Sequence, residues 1–174
     1  MQISKLSNDF YIGPQPTEPD LAHMKAEGVR TVFDFRHPSE TRVPNGPAVT
    51  RQGLDYVNIP IRLQALSDDE VDQFRREAEV RPGPFLLHCG VGTRAAAMYL
   101  MKMAADQGWD APRTLEEGRR IGINLDGSPP LKFFVASYVT RHAVKGPDPE
   151  ADRDRCQGTH RFDLICPGGC QPPL

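Results

Sequence analysis

An excess of charge of one sign, a dense aromatic content and long apolar runs are all missing from this chain. Lysine and arginine number 21 against 23 aspartates and glutamates, for a net charge of −2. That balance gives no sign of a polyanion binder or a membrane-surface protein. No apolar stretch approaches the roughly 20 residues of a spanning helix. The opening MQISKLSNDF has no apolar core of the kind a secretory leader carries. The expectation is a cytoplasmic protein with reduced thiols and neither nucleic acid nor membrane as a partner. Cysteine is scarce, at four in 174 residues, and reads as free, catalytic or metal-bound rather than as a disulfide framework. Cys89 stands alone, whereas Cys156, Cys166 and Cys170 crowd the C-terminal end. What is present is ordinary: 25% charged and 39% hydrophobic residues, in a chain long enough to bury a core without staples.

Strand and helix patterns alternate. FYIG (10–13) reads as a short strand, and Thr17 caps a helix that holds Leu21 and Met24 and stops at Gly28. VRTVFDFR (29–36) and DYVNIPI (55–61) are strands, separated by a proline- and glycine-rich stretch that reads as a long connection. Ser67 and Glu70 have capping-box spacing before a helix reaching about Val80. FLLHC is short and almost wholly apolar, as befits the centre of a parallel sheet. TRAAAMYLMKMAADQG (93–108) is a strong helix, a shorter one covers about 113–121 around Thr114, and 131–144 is a last helix or a strand. This order predicts α/β architecture: a single domain with a mostly parallel central sheet flanked by helices. Periodicity is lost near Lys145, so residues 1–145 form the expected catalytic domain and 146–174 a tail.

The chemistry concentrates in HCGVGTR, residues 88–94. It puts a thiol at the carboxyl end of a central strand, a glycine-rich bend after it, and an arginine at the start of a helix. Gly90 and Gly92 let the bend turn its N–H groups inward, and these join a helix N-terminus to make an anion cradle. Such a field lowers a thiol's pKa from about 8.5 into a range of roughly 3.5 to 7.5. Arg94 supplies a planar fork for two oxygens of a tetrahedral oxyanion. Cys89 is thus the candidate nucleophile, Arg94 the clamp, and Gly90, Val91, Gly92 and Thr93 the cradle. His88 is expected to face away from the cradle and to orient the loop. Arg36, at another strand end, either adds positive charge beside the site or anchors a loop by pairing with Glu40. Asp34 is expected to face polar partners. The chemistry is attack on a bound oxyanion, either phosphoryl transfer or sulfur transfer.

HCGVGTR resembles the HCxxGxxR signature of cysteine-dependent tyrosine and dual-specificity phosphatases. Together with YIGPQPTEPDLAHMKAEGVRTVFDFRHPSE, DYVNIPI and DQGWDAPRTLEEGRRIGI, it is similar to the family DUF442, the phosphatase-like domain of beta-lactamase hydrolase-like proteins, over about residues 9–124. The resemblance implies a dual-specificity-phosphatase-like fold. It also implies hydrolysis of a phosphorylated protein or small molecule through a phosphocysteine, with no metal or cofactor. The spacing departs from the phosphatase pattern, being C-x4-R rather than C-x5-R, a short form shared with DUF442 proteins and many rhodaneses. Ala95 replaces the usual hydroxyl residue, for which Thr93 is a substitute. Arg62 and Leu63 follow NIPI where dual-specificity phosphatases often carry an acidic proton donor. Asp68 and Asp69 come later, at a helix start that suits them without chemistry, and Asp68 is the candidate general acid. Three functions stay open at this point: a phosphatase, a rhodanese-like sulfurtransferase carrying a persulfide on Cys89, and a non-catalytic anion-binding module. In the tail, Cys156, His160, Cys166 and Cys170 are open to three readings: disorder, zinc ligation, or a redox pair of the last two cysteines.

Overall fold

The computed structural model describes residues 2–41 and 44–142. The strands are β1 (Ser4–Lys5), β2 (Phe10–Gly13), β3 (Thr31–Asp34), β4 (Asp55–Asn58) and β5 (Phe85–His88). The helices are α1 (Glu18–Ala26), α2 (Gly46–Arg51), α3 (Asp68–Val80), α4 (Thr93–Gln107), α5 (Ala111–Arg120) and α6 (Pro129–His142). The sheet order is β1-β2-β5-β3-β4. The last four strands are parallel, and the two-residue β1 runs antiparallel to β2 at the edge.

A parallel sheet must be covered on both faces, and alternation along the strands supplies an apolar surface to each. Tyr11, Val32 and Leu86 pack with Leu21 and Met24 of α1 and Val49 of α2. Phe10, Ile12, Phe33, Phe85 and Leu87 pack on the opposite side with residues of α3, α4 and α6. There the Phe74 ring meets Phe33 and Phe35 edge-on, with ring centres 5.0 and 5.4 Å apart. Helix α4 begins with Thr93 and Arg94, and the three buried alanines that follow, Ala95, Ala96 and Ala97, have side chains small enough to let it lie close on the sheet. It ends at Gly108, which takes the left-handed conformation at φ 65°.

The long connection between β3 and β4 contains structure that its composition concealed. A 3₁₀ turn spans Pro38–Glu40, and α2 follows with Pro47 in its first turn. Six residues with one buried side chain, Val49, are too few to register as a helical period. Residues 129–142 are helical because Leu131, Val135, Tyr138 and Val139 form one buried stripe. At α5 the cap is Asp110, which accepts from the Arg113 N–H, so the helix starts earlier than the Thr114 signal suggested. Ser67 caps α3 by accepting from the Asp69 N–H, but Glu70 does not complete a capping box: its Oε2 is buried without a partner.

Pairing register puts Gly13, His88, Asp34 and Asn58 side by side at the carboxyl ends of their strands. The connections that leave β3, β4 and β5 therefore emerge along one sheet edge, where open α/β sheets bind ligands.

Candidate active site

Cys89 leaves β5 directly and is buried, yet it borders an open cleft of about 640 Å³. The bend that follows closes through Gly92, whose φ of 97° is a left-handed conformation that glycine adopts without a Cβ penalty. The Gly92 N–H donates to Cys89 Sγ at 3.1 Å. Val91 stands exposed at the cleft mouth, and Thr93 opens α4 on its wall. Gly90 and Gly92 carry the backbone between these residues.

Arg94 is held from two other connections. Its Nη1 donates to Glu40 Oε1 at 2.7 Å and to the Ile61 carbonyl at 2.8 Å, and its Nη2 donates to Glu40 Oε2 at 2.5 Å. A guanidinium has five N–H groups. These bonds use both Nη1 hydrogens and one on Nη2, leaving Nε–H and the second Nη2 hydrogen as a parallel pair on the other edge. Nη2 lies 3.9 Å from the position a Cβ would take on Gly90, so this second edge is beside the cradle. One edge is thus anchored by protein and the other is shaped for two oxygens of an oxyanion. The bond to Glu40 raises the Arg94 pKa against the effect of burial, and Cys89 adds to the rise. In turn the Arg94 bond holds the Glu40 carboxyl below its usual range, helped by the His37 N–H.

Behind the loop, on the face opposite Cys89, lies a buried polar cluster. Arg36 Nε and Nη2 donate to both oxygens of Asp34, at 2.9 and 2.6 Å. Tyr56 donates to Asp34 Oδ2, and Asn58 donates to the carbonyls of Asp34 and Arg36. Arg36 is 3% exposed in this pair and is not among the cleft-lining residues. Neither expected use of Arg36 is seen: Asp34, two residues away, neutralises it where burial demands a partner, and Glu40 serves Arg94. His88 Nε2 lies 3.4 Å from Asn45 Nδ2 and 3.7 Å from Asp34 Oδ2, so His88 does face away from the thiol.

Burial pushes the His88 pKa down to about 4, against the pull of the Asp34 charge and with help from Arg36. The unfolded chain would bind that proton near 6.5. Between these values the unfolded state holds more protons, so stability falls as pH drops. For Asp34, burial alone would raise the pKa, but the bonds and charges of Arg36 and His88 bring it below 3.8. Its contribution is present above that value and is lost only as pH falls through the lower folded value. Urea unfolding is therefore expected to give a free energy about 2–3 kcal/mol lower at pH 4.5 than at pH 7.5. Equal values at the two pH settings would contradict a neutral buried His88.

Asp68 is not brought to the cleft. It sits in the first turn of α3 and accepts from Arg141 Nε at 3.0 Å, with His142 Nε2 at 2.9 Å. The Arg141 bond outweighs burial and, with His142, lowers its pKa, so it is ionised at neutral pH and has no proton to donate. Cys156, His160, Cys166 and Cys170 lie outside the described residues.

Residues 2–106 match the family model described as beta-lactamase hydrolase-like protein, phosphatase-like domain. The chain belongs to this family. A beta-lactamase hydrolase-like protein of Xylella fastidiosa (strain Temecula1) is 26% identical over 154 residues, covering 84% of this chain and 34% of the relative. One from Agrobacterium fabrum is 26% identical over 113 residues, covering 61% of this chain and 26% of the relative. The chain thus spans about a third or less of the curated relatives it matches. Among solved structures, a DUF442 protein from Shewanella putrefaciens CN-32 superposes with a TM-score of 0.67 at 20% identity, over 82% of this chain and 93% of that one. TpbA of P. aeruginosa, in complex with phosphotyrosine, gives 0.65 at 21%, over 83% and 91%. Tk-PTP gives 0.68 at 18%, over 80% and 97%. These likenesses show the fold: this chain shares with those proteins an α/β domain built on a mostly parallel sheet flanked by helices.

Among the cleft residues not singled out as site residues, three are titratable: Glu40, His37 and Arg62. Glu40 had a signal, because His37-Pro38-Ser39-Glu40 has capping-box spacing and His37 does cap the turn. Its role was hidden because the aim of a carboxylate on a 3₁₀ turn depends on tertiary packing.

Proposed function

We propose that this chain is a cysteine-dependent phosphatase acting on phosphate monoesters. Cys89 Sγ, as thiolate, attacks phosphorus. The ester P–O bond breaks, its electron pair leaves with the alcohol or phenol oxygen, and that oxygen takes up a proton from solvent, which the attacking water of the second step gives back. Water then attacks the phosphocysteine, releasing inorganic phosphate and restoring the thiolate. Gly90, Val91, Gly92 and Thr93 supply the cradle, and the Thr93 hydroxyl stands in for the missing hydroxyl at Ala95. Arg94 holds two equatorial oxygens through its Nε and Nη2 edge. No residue is assigned as general acid, since Asp68 is engaged elsewhere. The observation that carries this reading is the Arg94 guanidinium, anchored on one edge by Glu40 and Ile61 and presenting the other beside Cys89. The family's phosphatase-like character and the phosphotyrosine bound by TpbA support it. No helix among the described residues is long and apolar enough to cross a membrane, and a cytoplasmic setting belongs to this reading.

The second reading is sulfur transfer, and the short C-x4-R loop is what favours it. There Cys89 would take a sulfane sulfur from a thiosulfate-like donor as a persulfide, release sulfite, and pass the sulfur to a nucleophilic acceptor. One preparation assayed for 4-nitrophenyl phosphate hydrolysis and for thiosulfate-to-cyanide transfer separates the two. Hydrolysis without transfer is expected; transfer without hydrolysis would replace the phosphatase by the sulfurtransferase.

A further inference from the structure

The cleft contains a second arginine that the proposed hydrolysis does not use. Arg62 follows Ile61, whose carbonyl anchors Arg94, and it lines the same cleft. Its exposed guanidinium touches His37 Nε2, while His37 Nδ1 is occupied by Ser39, with Oγ at 2.7 Å. Several exposed arginines of this molecule have a carboxylate: Arg51 pairs with Glu18, Arg120 with Glu117 and Arg141 with Asp68. Arg62 has none among the described residues. Glu40 is the carboxylate on the cleft wall, and both its oxygens are committed to Arg94. Among the described residues, then, the cleft lining holds two guanidinium groups against one carboxylate. The uncompensated charge sits on a concave surface, where it acts on whatever enters. Near it the apolar side chains of Leu63 and Val91 are exposed on the same cleft, 41% and 68% accessible. They offer apolar contact beside the charged groups.

We propose that Arg62 forms a second anion subsite, and that the preferred substrate is a phosphate ester bearing a second oxyanion, phosphate or carboxylate. The inference rests on the reading of Cys89 to Arg94 as an oxyanion site, not on the hydrolytic outcome. Arg62 is here a specificity residue: its fork engages the second oxyanion, and the position after Ile61 selects substrates rather than donating a proton.

The test measures binding by titration calorimetry at fixed ionic strength, with inorganic phosphate and with methylenebisphosphonate, which carries two oxyanions and is not hydrolysed. Wild type is expected to favour the bisphosphonate by about tenfold, the scale of one charged hydrogen-bond pair. In Arg62→Ala that preference should fall to within about twofold. Thermal unfolding of the variant confirms that it is folded. A preference unchanged in Arg62→Ala, no preference in wild type, equal weakening of both ligands, or a preference kept in full by Arg62→Lys, which retains the diffuse charge and loses the fork, would each overturn the subsite. Turnover of 4-nitrophenyl phosphate by wild type reports separately on the phosphatase reading. A protein with the Arg62-dependent preference and no turnover keeps the subsite and loses the phosphatase. Turnover with no preference, or with binding of neither anion, does the reverse, and absence of both binding and turnover defeats both.

Discussion

Cys89→Ser is expected to lose more than about ten-thousandfold in kcat on 4-nitrophenyl phosphate, over 5 kcal/mol of barrier. Serine is nearly isosteric, and the Gly92 N–H that meets Sγ at 3.1 Å in the native site is backbone and stays in place. The hydroxyl, however, is almost wholly protonated at neutral pH, and no base stands assigned to activate it. The variant should keep a cooperative urea transition and should still bind inorganic phosphate, because Arg94 and the loop N–H groups are untouched. Retention of both with loss of turnover isolates the nucleophile. A residual rate within a few hundredfold of wild type, in protein free of contaminating phosphatase, would remove Cys89 from that role.

Arg94→Lys should cost on the order of a hundredfold or more in kcat/KM, about 3 kcal/mol of transition-state stabilisation. Charge is preserved, so the loss measures geometry. Arg94 works with two edges at once, one on Glu40 and the Ile61 carbonyl, the other toward the cradle. An ammonium offers three donors from a single point and cannot do both in plane. Glu40→Gln, which keeps the shape and removes the charge, should show a smaller loss of about tenfold, since a misaimed clamp is still a clamp. A lysine variant at near-native rate would show that no bidentate grip is made on the transferring group.

Much of this site could be read from the chain before folding, and the reason lies in locality. Cys89, the two glycines and Arg94 sit within six residues, and their meaning depends on a strand–bend–helix setting that the flanking FLLH and AAAMYLM already announce. The nearly unbroken apolar run of FLLHC was equally visible, and with it a central strand buried on both faces. What escaped was set at long range. Whether Arg36 would meet Glu40, Asp34 or a substrate depended on which carboxylate reached it once the strand ends were aligned. Asp68 looked available as an acid because its partners, Arg141 and His142, lie 73 and 74 residues away. The helix α2 is too short and too weakly apolar to leave a period, and it hid within a proline-rich stretch.

The two anchors of Arg94 come from 54 and 33 residues upstream, and this has a consequence for how the chain acquires activity. The loop around Cys89 closes on itself within a few residues and can form early. Aiming Arg94 requires the connections after β3 and β4 to be in place, and contacts of such separation form slowly. The clamp is therefore complete only when both crossovers are packed, and in refolding protein turnover is expected no earlier than helix signal, which makes it a clock for completion of the crossovers; turnover that precedes helix signal would contradict this.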